Sequence, residues 1–250
     1  MNALENISLV LVRPQYAGNI GSVCRAMKNM GLRKLILVSP AADHLGEEAI
    51  RMAVSARDIL VETKVFYSLP EALEGFHWIA GTSARRGRNR GPFISPRELA
   101  PEILSHAQRV PVAILFGPED KGLTNRELDP CQALIAIPAH PQLSSLNLAQ
   151  AVMIICYEIY LAQISNLQWN PRAEKEFRPA QFQKVEGMYS HMEDLLLKIG
   201  FLDPKNPKRI MHTLRRIFGR AGLSERDVAI WRGIFRQMEW YVTRRKEKEA

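Results

Sequence analysis

Residues 135–160 read IAIPAHPQLSSLNLAQAVMIICYEIY, and the fold around them follows from this order of apolar and polar residues. A short apolar run, residues 133–137, leads into the stretch and is typical of a buried strand. Pro138 and Pro141 end that strand, because proline has no backbone N–H to donate to a neighbouring strand. A sharp loop is therefore expected to follow the strand.

The loop ends in small polar residues, Ser144, Ser145 and Asn147, and an apolar helix is predicted directly after them over residues 148–161. The N-terminus of a helix presents unpaired backbone N–H groups, and small side chains let a ligand come close to the backbone. The pattern fits a ligand site, and it fits a structural loop before a buried helix equally well.

The composition is that of an ordinary globular protein, with 46% hydrophobic and 24% charged residues in a chain of 250. Cys24, Cys131 and Cys156 form no CxxC pair, which favours a reducing cytoplasm over a zinc site or a disulfide framework. No run approaches the ~18 apolar residues that cross a bilayer, and the N-terminus lacks the basic region of a signal peptide. We therefore expect a cytoplasmic protein without a membrane or metal partner.

Positive charge is concentrated in the last third of the chain. The net charge is +8, yet residues 1–165 hold 16 Lys and Arg against 15 Asp and Glu, whereas residues 166–250 hold 18 against 11. This asymmetry predicts a C-terminal appendage that binds a polyanion, nucleic acid first of all. A solvated basic helical surface is the alternative interpretation.

Strand-like and helix-like segments alternate before residue 165, which predicts an α/β domain with a mostly parallel sheet. Asn19 is predicted to cap a helix over residues 20–30. Gly117 directly follows a strand, and Gly122 permits a tight return of the loop. Glu119 in that loop is either a ligand-side hydrogen-bonding group or an ordinary turn acid. The six predicted strands are residues 7–12, 35–38, 63–66, 77–81, 112–116 and 133–137.

Two helix starts carry the capping-box pattern, Ser95 with Glu98 and Thr124 with Glu127. Between the fourth strand and the first of these lies TSARRGRNRGP, residues 82–92, which is rich in arginine and glycine and contains no acid. Because the arginine fork matches phosphate oxygens, this loop is predicted to contact phosphates, with a plain surface loop as the alternative. Its arginines are Arg85, Arg86, Arg88 and Arg90.

The last part of the chain is predicted to be a helical extension. Residues 166–180 resemble a linker, and helices are expected over residues 181–199, 207–220 and 224–245. The aromatic residues Trp231, Phe235 and Trp240 have near-helical spacing and are expected to pack between helices. The candidates for phosphate contacts are Arg215, Arg216, Arg220, Arg232 and Arg236.

Three loops rich in glycine and polar residues, each next to a buried segment, have now appeared in order. They read GNIGSVCRAMKNMG (residues 18–31), LFGPEDKGLTNREL (115–128) and IPAHPQLSSLNLAQAV (137–152). Together they resemble the three motifs of the SPOUT superfamily of trefoil-knotted methyltransferases, in its SpoU branch of RNA ribose 2′-O-methyltransferases. The TSAR segment and the helical extension are most similar to the TrmJ type of tRNA (cytidine/uridine-2′-O-)-methyltransferase.

The resemblance implies a knotted parallel-sheet domain over residues 1–165 that binds S-adenosylmethionine in a bent shape and acts as a homodimer. It also implies methylation of a ribose in the tRNA anticodon loop, at nucleotide 32. The residues that it implies for the cofactor pocket are Thr82, Ser83, Ala84, Gly117, Ile137, Ser144, Ser145 and Leu146.

By the same resemblance, Arg25 of the first motif is expected to be the chief catalytic group. An arginine is a poor base, so its expected role is to hold the ribose and phosphate and to stabilise the alkoxide. Asn19 and Glu119 are expected to orient it, and Ser145 and Asn147 to contact the ribose or the cofactor. No metal is required, because the sulfonium already activates the methyl carbon.

Other interpretations remain at this level: a ribosomal-RNA ribose methyltransferase, a non-catalytic RNA-binding protein with the same fold, and a nucleotide-binding oxidoreductase. The last is disfavoured because no GxGxxG follows the first strand. One departure from the family pattern is Leu143, where some relatives carry a tyrosine. If that tyrosine positions the nucleotide, this chain is expected to differ from those relatives in the bases that it accepts.

Overall fold

The computed structural model describes residues 3–84, 92–165 and 179–249. The chain divides into two compact units, Met1–Glu174 and Lys175–Ala250. The predicted linker, residues 166–180, contains this division and lies almost wholly outside the described residues.

The first unit is built on a sheet in which the described residues form seven strands, all parallel, in the order β3-β2-β1-β6-β4-β7-β5. All six predicted strands are present. The sequence missed β5, an edge strand of two residues. The strands are β1 (Ile7–Val12), β2 (Lys34–Val38), β3 (Lys64–Phe66), β4 (Trp78–Thr82), β5 (Phe93–Ile94), β6 (Val112–Phe116) and β7 (Ala133–Ile135).

Helices connect these strands, and both predicted capping boxes are confirmed. Ser95 and Glu98 close the N-terminus of α5, and Thr124 and Glu127 close that of α6. Two short 3₁₀ segments, Ala3–Asn6 and Val54–Ala56, complete the unit. The helices are α1 (Ala17–Asn29), α2 (Glu47–Ala53), α3 (Arg57–Glu62), α4 (Leu69–Ala72), α5 (Pro96–Ala107), α6 (Asn125–Leu128) and α7 (Leu148–Ser165).

The expected capping role of Asn19 was wrong. Helix α1 begins at Ala17, with Tyr16 in the extended capping position, so Asn19 lies in the first turn of the helix. The chain enters the helix three residues earlier than a cap at Asn19 would give, and the Asn19 side chain is left to bond to other loops.

Helix α7 is part of the hydrophobic core, with its buried residues in contact with the sheet and with α1 and α5. The helix has 18 residues and a mean hydropathy of 1.4. By length and composition alone, it is long and apolar enough to cross a membrane. The expectation concerned an unbroken run of apolar residues, and Gln150, Glu158 and Gln163 interrupt this helix. Core helices of water-soluble proteins pass the same test, and the buried positions here are Leu148, Val152, Ile155, Cys156 and Ile159.

The parallel arrangement brings the carboxyl ends of four central strands to one edge of the sheet. Leu11 pairs with Phe116 across β1 and β6, and Thr82 pairs with Ile135 across β4 and β7. Loops that leave this edge form the ligand sites of open α/β sheets. The three motif loops leave the sheet here.

The second unit consists of helices α8 (Phe182–Lys198), α9 (Lys208–Ala221) and α10 (Glu225–Glu249) around a core of its own. Ser224 and Asp227 cap α10 as expected. Trp231 and Phe235 pack in this unit as predicted. Trp240 does not, because it is 56% exposed and lies under the Arg244 guanidinium. The predicted class, a parallel α/β domain followed by an all-α extension, is confirmed.

Candidate active site

A cavity of about 360 Å³, a size typical of small-molecule sites, lies between residues 82–84 and the second and third motif loops. The first motif loop does not line it and is joined to the other two through Asn19. Apolar side chains, among them Leu123 and Leu148, line it together with polar groups of the second and third loops. All eight residues that the sequence assigned to a cofactor pocket lie on its wall: Thr82, Ser83, Ala84, Gly117, Ile137, Ser144, Ser145 and Leu146.

Hydrogen bonds to neighbouring strands fix the segment at the end of β4, which is not one of the three motif loops. The Thr82 hydroxyl donates to the carbonyl oxygen of Leu115 at 2.9 Å. The Ser83 N–H donates to the carbonyl of Ile135 at 3.0 Å, which continues the sheet by one residue. The wall formed by the end of β4 is therefore anchored to both adjacent strands.

The second loop folds back on itself so closely that its first residue must be glycine. A Cβ atom at Gly117 would lie 2.2 Å from the backbone of Gly122 and Leu123. Gly122 itself has a φ of +61°, a conformation that glycine adopts without strain. Gly122 thus makes the tight return that the sequence predicted, and Gly117 lets the loop close on itself.

A chain of hydrogen bonds joins one residue from each motif. The Asn147 side chain donates to Oδ1 of Asn19 at 3.0 Å, and Asn19 donates in turn to Oε1 of Glu119 at 2.8 Å. The second carboxylate oxygen of Glu119 accepts from the Gln15 N–H at 3.0 Å. Glu119, which sequence alone left undecided, thus ties the first and second loops together and also lines the cavity.

Asn147 also caps helix α7. Its Oδ1 accepts from the N–H of Ala149 at 2.9 Å, and the Gln150 side chain accepts from the N–H of Asn147 at 3.3 Å. This reciprocal pair satisfies N–H groups that a helix N-terminus leaves without partners. One side chain therefore positions both the helix behind the cavity and Asn19.

Arg25 lies away from this wall. It is exposed on α1, does not line the cavity, and makes no hydrogen bond or ion pair within the part of the chain that the structure describes. Of the five predicted catalytic residues, Asn19, Glu119 and Asn147 are joined by hydrogen bonds, and Ser145 lies on the cavity wall with Glu119. Arg25 is the fifth predicted catalytic residue, and within one chain it neither bonds to the other four nor lines the cavity.

Sequence reasoning missed an ion pair beside the cavity, between Arg13 at the end of β1 and Glu127 in the second motif. Both guanidinium Nη atoms contact the carboxylate, with Nη2 3.2 Å from Oε2. Burial opposes ionisation of Glu127, but hydrogen bonds from Arg13 and Thr124 keep its pKa below the usual value. The same contact raises the pKa of Arg13. The partners are 114 residues apart, so no local pattern reveals them.

The sequence also missed Asp120, Lys121 and Leu123, which line the cavity beside Gly117. These residues lie within the second motif, residues 115–128, and that position could have indicated that they line the pocket. Among the described residues, no three His, Cys, Asp or Glu side chains lie close enough to hold a metal ion.

The predicted RNA-binding arginines of the second unit differ in their exposure and in their contacts. Arg215 is engaged internally, with Nη2 3.0 Å from Glu186 and the guanidinium carbon 4.4 Å from the Tyr189 ring centre. Arg232 and Arg236 are exposed and line a cleft of about 660 Å³. Arg216 is half-buried and Arg220 is exposed.

Arg85, Arg86, Arg88 and Arg90 lie outside the described residues.

Residues 6–157 match the SpoU rRNA Methylase family, and residues 183–250 match the C-terminal domain of the tRNA methyltransferase TrmJ. The tRNA (cytidine/uridine-2′-O-)-methyltransferase TrmJ of Pectobacterium atrosepticum is 42% identical over 236 residues, 94% of this chain and 98% of that protein.

A Pseudomonas aeruginosa relative, a tRNA (cytidine/uridine/adenosine-2′-O-)-methyltransferase, is 40% identical over 94% of this chain and 95% of its own. The crystal structure of TrmJ from Zymomonas mobilis superposes with a TM-score of 0.80 at 32% identity, covering 93% of this chain and 98% of that one. The matches include both units and agree with the predicted SPOUT class. The chain belongs to the SpoU methylase family and carries the C-terminal domain that is characteristic of TrmJ.

Proposed function

We propose that this chain is an S-adenosylmethionine-dependent methyltransferase that acts on a ribose 2′-hydroxyl of tRNA. The observation that carries the proposal is a cavity lined by residues 82–84 and by the second and third motif loops, with every expected cofactor-pocket residue on its wall. The tRNA substrate is supported by relatives of about 40% identity whose names specify tRNA 2′-O-methylation and which match nearly the whole chain.

The cavity suits S-adenosylmethionine in shape and chemistry. The close packing of Gly117 against the backbone of Gly122 and Leu123 fixes the second loop along one side of the cavity. Ile137 and Leu146 provide apolar surface for the adenine, and the Glu119 carboxylate favours a cationic ligand. The charge of Asp120 is offset by Lys121, which lines the same cavity with its ammonium 3.8 Å from that carboxylate. When bound, the cofactor supplies a methyl group that is already activated by its sulfonium.

The protein's remaining task is to position the ribose and to stabilise charge on its 2′-oxygen. Asn19, Glu119 and Asn147 hold the three loops in one arrangement through their hydrogen bonds. In our proposal, Arg25 binds the phosphate and ribose and stabilises the alkoxide that forms. Ser145, on the cavity wall, contacts the ribose or the cofactor.

The exposure of Arg25 supports a homodimer in which the Arg25 of a second copy completes each site. Within one chain Arg25 neither lines the cavity nor has a partner among the described residues. Helix α7 carries exposed Tyr157, Tyr160 and Ile164, which provide apolar surface for such an interface.

The second unit is proposed to bind the tRNA backbone. Arg232 and Arg236 lie one turn apart on α10 and face one cleft. Lys184 of α8 lines it too, but its ammonium is paired with the Glu225 carboxylate at 2.8 Å, so the two arginines supply the excess positive charge. Phosphate contacts of this kind add affinity without reading sequence. We propose that the arginines of residues 82–92 also bind the tRNA backbone. Arg215 is assigned a packing role because of its contacts with Glu186 and Tyr189.

Within tRNA, we propose nucleotide 32 of the anticodon loop as the target, in a cytoplasmic enzyme. Cytidine and uridine are the bases named for the Pectobacterium relative, and the Pseudomonas relative adds adenosine. A ribosomal-RNA target is the second candidate, since the matched family is described by rRNA methylation. A non-catalytic RNA-binding role is disfavoured by the intact chain of hydrogen bonds at the cavity.

The test is methyl transfer from isotopically labelled S-adenosylmethionine to total tRNA and, separately, to ribosomal RNA, followed by mass-spectrometric mapping of the label. The proposal predicts label on a 2′-O-methylated ribose at nucleotide 32 of tRNA. Label confined to ribosomal RNA favours the second candidate, and label on neither RNA refutes the proposed activity.

A further inference from the structure

The backbone at Arg13 is held in a conformation that arginine seldom adopts. Its φ is +50°, in the left-handed region, directly after the last residue of β1. Its N–H nevertheless continues the sheet by donating to the carbonyl of Val38 at 2.8 Å. Strained backbone of this kind persists where surrounding contacts impose it, and it is concentrated at functional sites.

The Arg13 side chain makes a two-point contact with Glu127. Each guanidinium Nη atom contacts a different carboxylate oxygen, the fork geometry that fixes orientation as well as distance. The Glu127 side chain is only 12% exposed, whereas that of Arg13 is 43% exposed. The pair therefore joins the end of β1 to a largely buried carboxylate.

Glu127 in turn sets the end of the cavity's second loop. Its Oε2 accepts from the Thr124 N–H at 2.8 Å and from the Thr124 hydroxyl at 2.9 Å. Leu123, the residue before Thr124, is 2% exposed and lies on the cavity wall with Gly122. Movement of the carboxylate would consequently shift the wall.

The same two segments are also joined at the start of that loop. Glu119 accepts from the Gln15 N–H and from the Asn19 side chain. Residues 13–19 are therefore tied to both ends of the loop over residues 117–124, once through Glu119 and once through Glu127. Arg13 does not itself line the cavity, so it acts on a ligand through the loop.

We propose that Arg13 is a positioning residue of the cofactor pocket, which holds the second loop in its binding geometry through the carboxylate of Glu127. The inference rests on the proposed function and adds to it a residue from outside the three motif segments. The alternative is a surface ion pair with little effect on any activity, the common outcome for exposed pairs.

The experiment compares Arg13→Gln, Arg13→Lys and wild type, with Arg97→Gln as the matched control. Arg97 makes an equally forked contact with Glu158 in the same unit, and neither residue lines the cavity. The measurements are the Kd for S-adenosylmethionine by calorimetry, the transfer rate at saturating cofactor and tRNA, and the Kd for tRNA.

Arg13→Gln is expected to raise the cofactor Kd about tenfold, the scale of a lost charge-assisted hydrogen bond, with the tRNA Kd unchanged. Arg13→Lys should recover part of the affinity, because lysine supplies the charge without the fork. Arg97→Gln should match wild type. A cofactor Kd for Arg13→Gln within twofold of wild type overturns the inference, as does an equal loss in Arg97→Gln.

A second comparison, between single and double variants, tests whether Arg13 acts through Glu127. If Arg13 acts through Glu127, the double variant Arg13→Gln/Glu127→Gln should bind cofactor no more weakly than Glu127→Gln alone. Additive losses overturn the inference. Wild-type protein that binds no S-adenosylmethionine and methylates no RNA refutes the proposed function instead, so the two failures are distinguishable.

Discussion

The side chain of Asn147 donates a hydrogen bond of 3.0 Å to the side chain of Asn19, which lies 128 residues earlier in the chain. Asn147 stands at the start of α7, and Asn19 lies in the first turn of α1 and bonds onward to Glu119. The contact closes the chain of hydrogen bonds among the three motifs and holds the two helices in a fixed relation at the cavity.

Two substitutions at Asn147 separate its two roles. Asn147→Ala removes the cap of α7 and should lower the free energy of unfolding by about 1 kcal/mol. Asn147→Asp keeps a capping acceptor but loses the N–H that Asn19 accepts, so it should retain near wild-type stability. Both variants should slow methyl transfer. Denaturant unfolding and single-turnover assays measure the two effects, and wild-type transfer in Asn147→Asp would show that the contact with Asn19 is dispensable.

Arg25→Ala should reduce methyl transfer by about 10²–10³-fold, because a group that stabilises developing negative charge is removed. The Kd for S-adenosylmethionine should stay within a few-fold of wild type, since Arg25 does not line the cavity. Arg51→Ala is the control, an exposed arginine on α2 outside the proposed machinery. Full transfer activity in Arg25→Ala would refute its role.

Gly117→Ala should abolish cofactor binding, because the added Cβ would lie 2.2 Å from the backbone of Gly122 and Leu123 and would force the loop apart. The control is Gly187→Ala in α8, where a Cβ meets nothing within 4 Å. That change should raise the free energy of unfolding by about 0.5–1 kcal/mol. Calorimetric titration with cofactor is the measurement, and wild-type affinity in Gly117→Ala would contradict the pocket assignment.

Arg232→Ala combined with Arg236→Ala should weaken tRNA binding and reduce its salt dependence, by about one unit of log–log slope for each phosphate contact removed. Arg215→Ala should instead lower the melting temperature, because it removes the guanidinium that contacts Glu186 and Tyr189. Binding isotherms at several salt concentrations test this division. An unchanged slope in the double variant would exclude these arginines from the RNA interface.

Local sequence patterns predicted most of the first unit. Apolar runs marked six strands, and the Ser95–Glu98 and Thr124–Glu127 pairs marked two helix starts, because these features depend on residues close together in the chain. Strand β5 escaped notice because two residues are too few to show a period. Strand order was likewise beyond local patterns, since it depends on pairing between distant segments.

The candidate site divides in the same way. The cofactor-pocket residues were predicted through a resemblance that rests on three local motifs and the TSAR segment, and all eight line one cavity. The contacts of Arg13 with Glu127 and of Arg215 with Glu186 could not be predicted. The partners are far apart in the sequence, and the residues next to each arginine in the chain do not indicate a distant acidic partner. Arg215 consequently looked like a phosphate ligand from sequence.

The most direct test uses two tRNA transcripts that differ in one atom, one with ribose and one with 2′-deoxyribose at nucleotide 32. Both are incubated with the wild-type chain and labelled S-adenosylmethionine. Our proposal predicts label at that nucleotide of the first transcript and none in the second, because the 2′-oxygen is the acceptor. Equal labelling of both transcripts would show that the methyl group goes elsewhere and would contradict the proposed reaction.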